Sequence, residues 1–148
     1  MSLSETIDKD LKEAMKASNK PAVSALRLIK SSLKYREIEK GEKLADDDVI
    51  AVLSSLLKQR RESIEQFKKG GRDDLVLSEE TEVVIIKKYL PEQISEGEIE
   101  GIVRETISEL GASGAKDIGK VMKAVMPKLK GRADGKVVNV IVSRFLAS

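Results

Sequence analysis

Along this chain the apolar residues recur at three- and four-residue steps, a spacing that predicts helices and no strand. Leu3, Ile7, Leu11 and Met15 form a narrow stripe on a first helix expected from about Ser4 to Ala17. Pro21 suits the opening position of a second helix. Leu26, Ile29 and Leu33 mark its buried face, and it stops before Gly41. The third is long, with Asp46 as its expected cap and Val49, Val52, Leu53, Leu56, Leu57, Ile64 and Phe67 on one face. Gly70-Gly71 ends it. The fourth is expected to be capped by Ser78 and to run from Glu79 to Leu90, where Pro91 terminates it. Its Val83-Val84-Ile85-Ile86 run has a strand-like composition, but the charged flanks favour helix.

Pro91 begins a linker, and three shorter helices follow it. Ser95-Glu96-Gly97-Glu98 has the form of a capping box, ahead of Ile99, Ile102, Val103, Thr106, Ile107 and Leu110 on one face. After a turn at Gly111 to Gly114, a sixth helix starts at Asp117 and carries Ile118, Val121, Met122, Val125 and Leu129, with Pro127 expected to kink or end it. The last starts at Asp134 and carries Val137, Val138, Val140, Ile141 and Phe145. The expected fold is all-α, a four-helix N-terminal domain at 1–92 followed by a compact three-helix tail domain at 93–148.

Composition narrows the chemistry. With 41% hydrophobic and 35% charged residues, the chain can bury a core beneath a heavily charged surface. It has no Cys, which excludes disulfides, thiolate metal sites and a cysteine nucleophile, and no His, which removes the usual general base and imidazole ligand. No cofactor is expected. Serines are plentiful, but no base stands ready to activate one. No apolar run reaches about 18 residues, and the first residues lack a signal-peptide core, so the expectation is a cytoplasmic chain with no membrane contact.

Charge is nearly balanced overall, at +2, and polarised locally. From Gly111 onward, Lys116, Lys120, Lys123, Lys128, Lys130, Arg132, Lys136 and Arg144 face two acids, Asp117 and Asp134, a balance of +6. The preceding segment, Ser95 to Leu110, has five Glu against Arg104, a balance of −4. At about 100° per residue, Lys120 and Lys123 fall opposite the apolar face of the sixth helix, with Lys130 on the same side if the helix reaches it. Exposed lysines are ordinary, but a face without acids is a candidate phosphate-contacting surface. The candidate RNA contacts are Lys116, Lys120, Lys123, Lys128, Lys130, Arg132 and Lys136. Gly131 and Gly135 could admit a ligand to the backbone, although turn geometry explains both. Phe67 and Phe145 lie on apolar faces, so RNA would be held by shape and backbone, without stacking on exposed rings.

Two other clusters have structural explanations. Arg60 falls in the middle of the third helix's apolar face, where a guanidinium needs a carboxylate. Glu37 is its expected partner in a structural ion pair, with Glu79 as the alternative. Asp46-Asp47-Asp48 suits a helix start better than a metal site, because acids there offset the helix dipole and cap free amides. Gly70-Gly71-Arg72-Asp73 lacks the strand-then-loop context of a nucleotide-binding loop.

Several motifs occur together in order: Leu26-Arg27 with Ile29-Lys30, Lys58-Gln59-Arg60-Arg61-Glu62-Ser63, Gly71-Arg72-Asp73-Asp74-Leu75, Tyr89-Leu90-Pro91, Asp117-Ile118-Gly119-Lys120-Val121-Met122 and Gly131-Arg132-Ala133-Asp134-Gly135. By these the chain resembles the GatB/YqeY family over nearly its whole length. Its tail is also similar to the tail domain of the GatB component of the glutamine-dependent aspartyl/glutamyl-tRNA amidotransferase, a helical module that helps hold tRNA. The resemblance implies a tRNA-related role and brings with it the family label of a carbon–nitrogen ligase using glutamine as amide donor. The kinase-like cradle of GatB and the amidase signature of its partner are both missing here. Three readings follow: a non-catalytic accessory protein binding tRNA, a component acting with an amidotransferase or other translation-related complex, or a protein–protein adaptor.

Overall fold

A computed structural model of the chain describes residues 1–147. Those residues form seven α-helices and no strand, an all-α fold. In chain order they are α1 (Leu3–Lys16), α2 (Lys20–Lys40), α3 (Asp46–Lys69), α4 (Asp73–Lys88), α5 (Glu96–Leu110), α6 (Ile118–Val125) and α7 (Gly135–Leu146). Short 3₁₀ turns, Ala115–Asp117 and Met126–Leu129, flank α6. The helices gather into two compact units, Met1–Leu90 and a second from Pro91 onward.

The first unit is built on Ile7 and Leu11 of α1, Leu26, Ile29 and Leu33 of α2, and Val49, Leu53, Leu56 and Leu57 of α3. Ile86 of α4, with Tyr89 and Leu90 just beyond it, completes this core. The α3–α4 pair is its most extensive helix contact. The apolar stripe of α3 thins toward its end, where Ile64 and Phe67 are only half-buried. Met15, at the end of the α1 stripe, is 51% exposed.

Caps fix most boundaries, and several differ from expectation. Ser2 caps α1 and forms a full box with Glu5, accepting from its amide at 3.2 Å while Glu5 Oε2 accepts from Ser2 N at 3.3 Å. Asn19 caps α2 by accepting from Ala22 N. Asp46 is not the cap of α3. Ala45 holds that position, and its amide donates to Asp48 Oδ2 at 3.0 Å. Asp46 instead accepts from Leu3 N at 2.9 Å, tying α3 to the start of α1. Ser78 does not cap α4 either, because the helix begins at Asp73, a full turn and more before it. Asp73 and Asp74 fill its first turn, where negative charge opposes the positive end of the helix dipole.

The second unit has a separate core of Ile99 and Val103 from α5, Val121 and Val125 from α6, Leu129, and Val138, Ile141, Val142 and Leu146 from α7. Ser95 caps α5 by accepting from Glu98 N at 3.3 Å. Pro127 ends α6 early, since a proline has no amide to continue the ladder. The chain tightens into the Met126–Leu129 turn, and this change of pitch still buries Leu129 completely. Asp134 caps α7 through Lys136 N at 2.9 Å. Val140, expected on the apolar face of that helix, is 64% exposed.

Candidate nucleic-acid interface

The basic residues of the tail divide by what holds them. Lys116 stands in the 3₁₀ turn before α6, and Lys120 and Lys123 on α6 itself, all three exposed. Their spacing of four and then three residues sets them along one side of the helix. Val121 and Val125 point into the core and are fully buried, so the lysines take the outer face by helical phase. None of the three has an ion-pair or hydrogen-bond partner among the described residues. Gly119 lies within this stretch, with open space where a Cβ would sit, so packing does not demand a glycine there.

Lys128 and Arg132 are placed differently. The 3₁₀ turn carries Lys128 back toward α5, where Nζ donates to Thr106 Oγ1 at 3.1 Å and pairs with Glu109 at 3.5 Å. Thr106 is the one buried polar residue among those described, and its own hydroxyl donates to Ile102 O at 2.8 Å. Lys128 therefore fills one of the hydroxyl's two acceptor sites. Arg132 is half-buried and donates to Glu92 O at 3.4 Å. Its backbone is held by Ile94 N donating to Arg132 O at 3.0 Å. Gln93 Nε2 donates to Gly131 O at 2.6 Å, and Gly131 takes a φ of 73°, a left-handed value that favours glycine. Turn geometry thus accounts for Gly131, and Gly135 is the first residue of α7. Lys130 and Lys136 are exposed and make contacts within the fold. The seven basic residues are not one uniform face.

The aromatic side chains also depart from expectation. Phe145 is half-buried, with the guanidinium carbons of Arg104 and Arg144 at 5.1 and 5.4 Å from its ring centre. Arg144 also reaches Glu100 at 2.6 Å. Tyr89 is sealed in the first unit, while Tyr35 on α2 is 74% exposed. Spacing gives no sign of that free ring, because Tyr35 lies off the apolar face and carries no pattern of its own.

In the first unit, Arg60 is flanked by two carboxylates of α4. Its Nε lies 3.4 Å from Glu79 Oε2 and its Nη1 donates to Glu82 Oε2 at 3.1 Å. Side-chain exposure of the three is 21%, 17% and 21%, a site about four-fifths covered. The Nε–Glu79 contact is too poorly aligned for a hydrogen bond, so the two atoms attract as charges only. Glu37 is exposed on α2 and does not reach Arg60; the second acid is Glu82, one turn beyond Glu79. The tight α3–α4 pairing brings that helix over Arg60. A Glu at three-residue spacing from Glu79 was the signal available in the sequence.

Elsewhere, Lys40 bridges Asp48 at 2.6 Å and Glu42 at 3.6 Å. The hydrogen bond from Lys40, with that from Ala45 N, holds the Asp48 carboxyl below its usual range. Burial, with a hydrogen bond to Asp10 at 2.5 Å, pushes the Tyr89 phenol upward. The described residues contain no group of three His, Cys, Asp or Glu placed to hold a metal ion, and no helix long and apolar enough to cross a membrane.

Comparison with known proteins places the chain. A family model described as "Yqey-like protein" matches residues 4–146. The protein named "Altered inheritance of mitochondria protein 41, mitochondrial" from Pyrenophora tritici-repentis is 31% identical over 126 residues, covering 84% of this chain and 69% of the relative. Its namesake in Lachancea thermotolerans is 39% identical over 110 residues, covering 72% and 59%. That of Saccharomyces cerevisiae is 33% identical over 132 residues, covering 88% and 62%. The chain thus spans about three fifths of the last two relatives. These names correct the cytoplasmic expectation, since each relative is named as mitochondrial and points to that compartment instead. Lack of an apolar span says nothing of compartment, because addressing signals are separable from the fold. Matched from residue 4 to residue 146, the chain belongs to the YqeY-like family.

Proposed function

We propose that this chain is a tRNA-binding accessory protein whose tail holds folded tRNA through phosphate contacts, with no catalysis of its own. The observation that carries the reading is the row Lys116, Lys120 and Lys123, exposed and unpaired on the outer face around α6. Lysine is a compact charge with rotatable donors, suited to positioning a phosphate backbone without reading bases. The likeness of the tail to the tRNA-holding module of the amidotransferase component GatB supports the choice of tRNA. Lys128 and Arg132 serve the fold first, so the contact set is narrower than charge alone suggests.

Binding of tRNA to the full chain, followed by fluorescence anisotropy across salt concentrations, tests the reading. Replacing Lys116, Lys120 and Lys123 together by Gln should reduce the log–log salt slope by about 2 to 3, each lost phosphate contact being worth roughly 0.7 to 0.9. Circular dichroism should be unchanged, because the three side chains are exposed and hold no ion pair or hydrogen bond among the described residues. An unchanged slope, or no binding of folded tRNA at low salt, would reject the tail as the tRNA site.

A further inference from the structure

The outer face of α2 has a regular chemistry that the tail reading does not use. Lys20, Ser24, Arg27, Ser31 and Lys34 follow one another at steps of four, three, four and three residues, and the three cations and Ser31 stand clear of the core. At about 100° per residue they lie opposite Ala25, Leu26, Ile29 and Leu33, the buried side of the same helix. The three cations repeat every seven residues, about 10 Å apart along the axis, with a hydroxyl between each pair. No acid falls among them.

Ion pairing within α2 separates this row from an ordinary charged surface. Its other three cations are each engaged, Lys30 with Asp8 at 2.9 Å, Arg36 with Glu39 at 3.8 Å and Lys40 with Asp48 at 2.6 Å. Lys20, Arg27 and Lys34 have no partner among the described residues. The unpaired cations of this helix are the ones that share a face.

Apolar groups stand at both ends of the row. Beyond Lys34, Tyr35 is 74% exposed and Ile38 is 72% exposed. At the other end, a recess of about 500 Å³ is lined by Met15, Ser18, Lys20, Val23, Ser24 and Arg27. It sets two cations and two hydroxyls around an apolar floor, in the volume range of small-ligand sites.

We propose that this face of the N-terminal unit is a second nucleic-acid contact, binding a single-stranded segment along α2. The phosphates lie over Lys20, Arg27 and Lys34, with the serine hydroxyls donating between them. One base stacks on Tyr35, and one nucleotide occupies the recess against Met15 and Val23. Cations tracking a backbone beside an open ring are what sequence-tolerant single-strand binding requires. An acidic helical peptide fits less well, because docking helices use apolar anchors along their centre and the middle of this face has none. The inference does not rest on the tail reading.

The test uses the full chain and a labelled single-stranded oligoribonucleotide of about 12 nucleotides, within the usual site size. Replacing Lys20, Arg27 and Lys34 by Gln should lower the salt slope by about 2, at roughly 0.7 per single-strand contact. Tyr35→Leu should weaken binding about five- to tenfold and leave the slope unchanged, as loss of one stacked base does. The chain has no Trp and Tyr89 is buried, so quenching of tyrosine fluorescence on binding should vanish in Tyr35→Leu. Unchanged affinity and slope in the α2 variant would overturn the inference. So would equal binding of polyglutamate that Tyr35→Leu does not affect. A loss of oligoribonucleotide binding confined to the Lys116/Lys120/Lys123 variant would overturn it, whereas the tail reading stands or falls separately on the binding of folded tRNA.

Discussion

Arg60 carries one positive charge to a seam that offers two negative ones. With Glu79 and Glu82 both within ion-pair distance and all three about four-fifths covered, removing the cation leaves two carboxylates facing each other. Arg60→Met should therefore lower stability by roughly 1 to 3 kcal/mol, less than a fully buried pair because solvent still screens the site. Adding Glu79→Gln and Glu82→Gln should restore most of the loss, which urea unfolding of the single, double and triple variants would measure. A single variant as stable as the parent would mean that the cluster contributes nothing net. Helical phase alone placed Arg60 on the apolar face and made Glu79 a partner. Of the two acids that phase offered, it favoured Glu37 over Glu79, because phase says which side of a helix a residue takes but not how far along its neighbour it packs.

Between elements, two polar ties respond to pH in opposite directions. The Asp48 carboxyl, held down chiefly by the Lys40 hydrogen bond, joins the end of α2 to the start of α3. Its folded value lies below the ordinary 3.8, so its stabilisation is complete above that value and is lost as pH falls through the depressed one. Tyr89, pushed up mainly by burial, joins the end of α4 to Asp10 of α1. Its stabilisation is complete below the ordinary 10.0 and is lost as pH rises through the raised folded value. Thermal melts across pH should show Asp48→Asn flattening the acid limb and Tyr89→Phe flattening the alkaline limb. Failure of both variants to change their own limb would assign the pH dependence to other groups. The existence of all seven helices was legible from periodicity. The start of α4 was not, because Asp73 and Asp74 follow a Gly-Gly pair that also reads as loop, and Ser78 offered a competing cap. The division of the tail lysines was also hidden, since the Lys128–Thr106 contact joins residues 22 positions apart.

Across the whole molecule, no buried residue of one core belongs to the other, as the first ends at Leu90 and the second begins at Ile99. Large-to-small changes should therefore act locally. Leu53→Ala should cost about 2 to 5 kcal/mol in the first unit, and Ile141→Ala a similar amount in the second. Hydrogen exchange resolved by segment should show faster exchange confined to the unit that carries the substitution. Acceleration throughout the chain from either change would mean that the two units unfold as one. The fold class was readable because each helix carries its own apolar face. The candidate site was readable only as charge, since which cations remain unpaired depends on tertiary contacts that no local pattern encodes.

The cation between Glu79 and Glu82 also acts on alignments that the chain must avoid. A slip of α4 along α3 by four residues, about 6 Å, would bring either Leu75 and Ser78 or Val83 and Ile86 to the place of the two glutamates, while a three-residue slip would keep one glutamate there. Neither pair offers a carboxylate, so a hairpin slipped by four residues would strand a mostly covered guanidinium without a counter-charge, and one slipped by three would leave it a single carboxylate. Apolar side chains along α4 could accept a sliding neighbour with little discrimination, whereas this one residue keeps both of its carboxylates only in the native register. Its main contribution is then to the uniqueness of the packing, a property on which the melting temperature of the native form reports only in part.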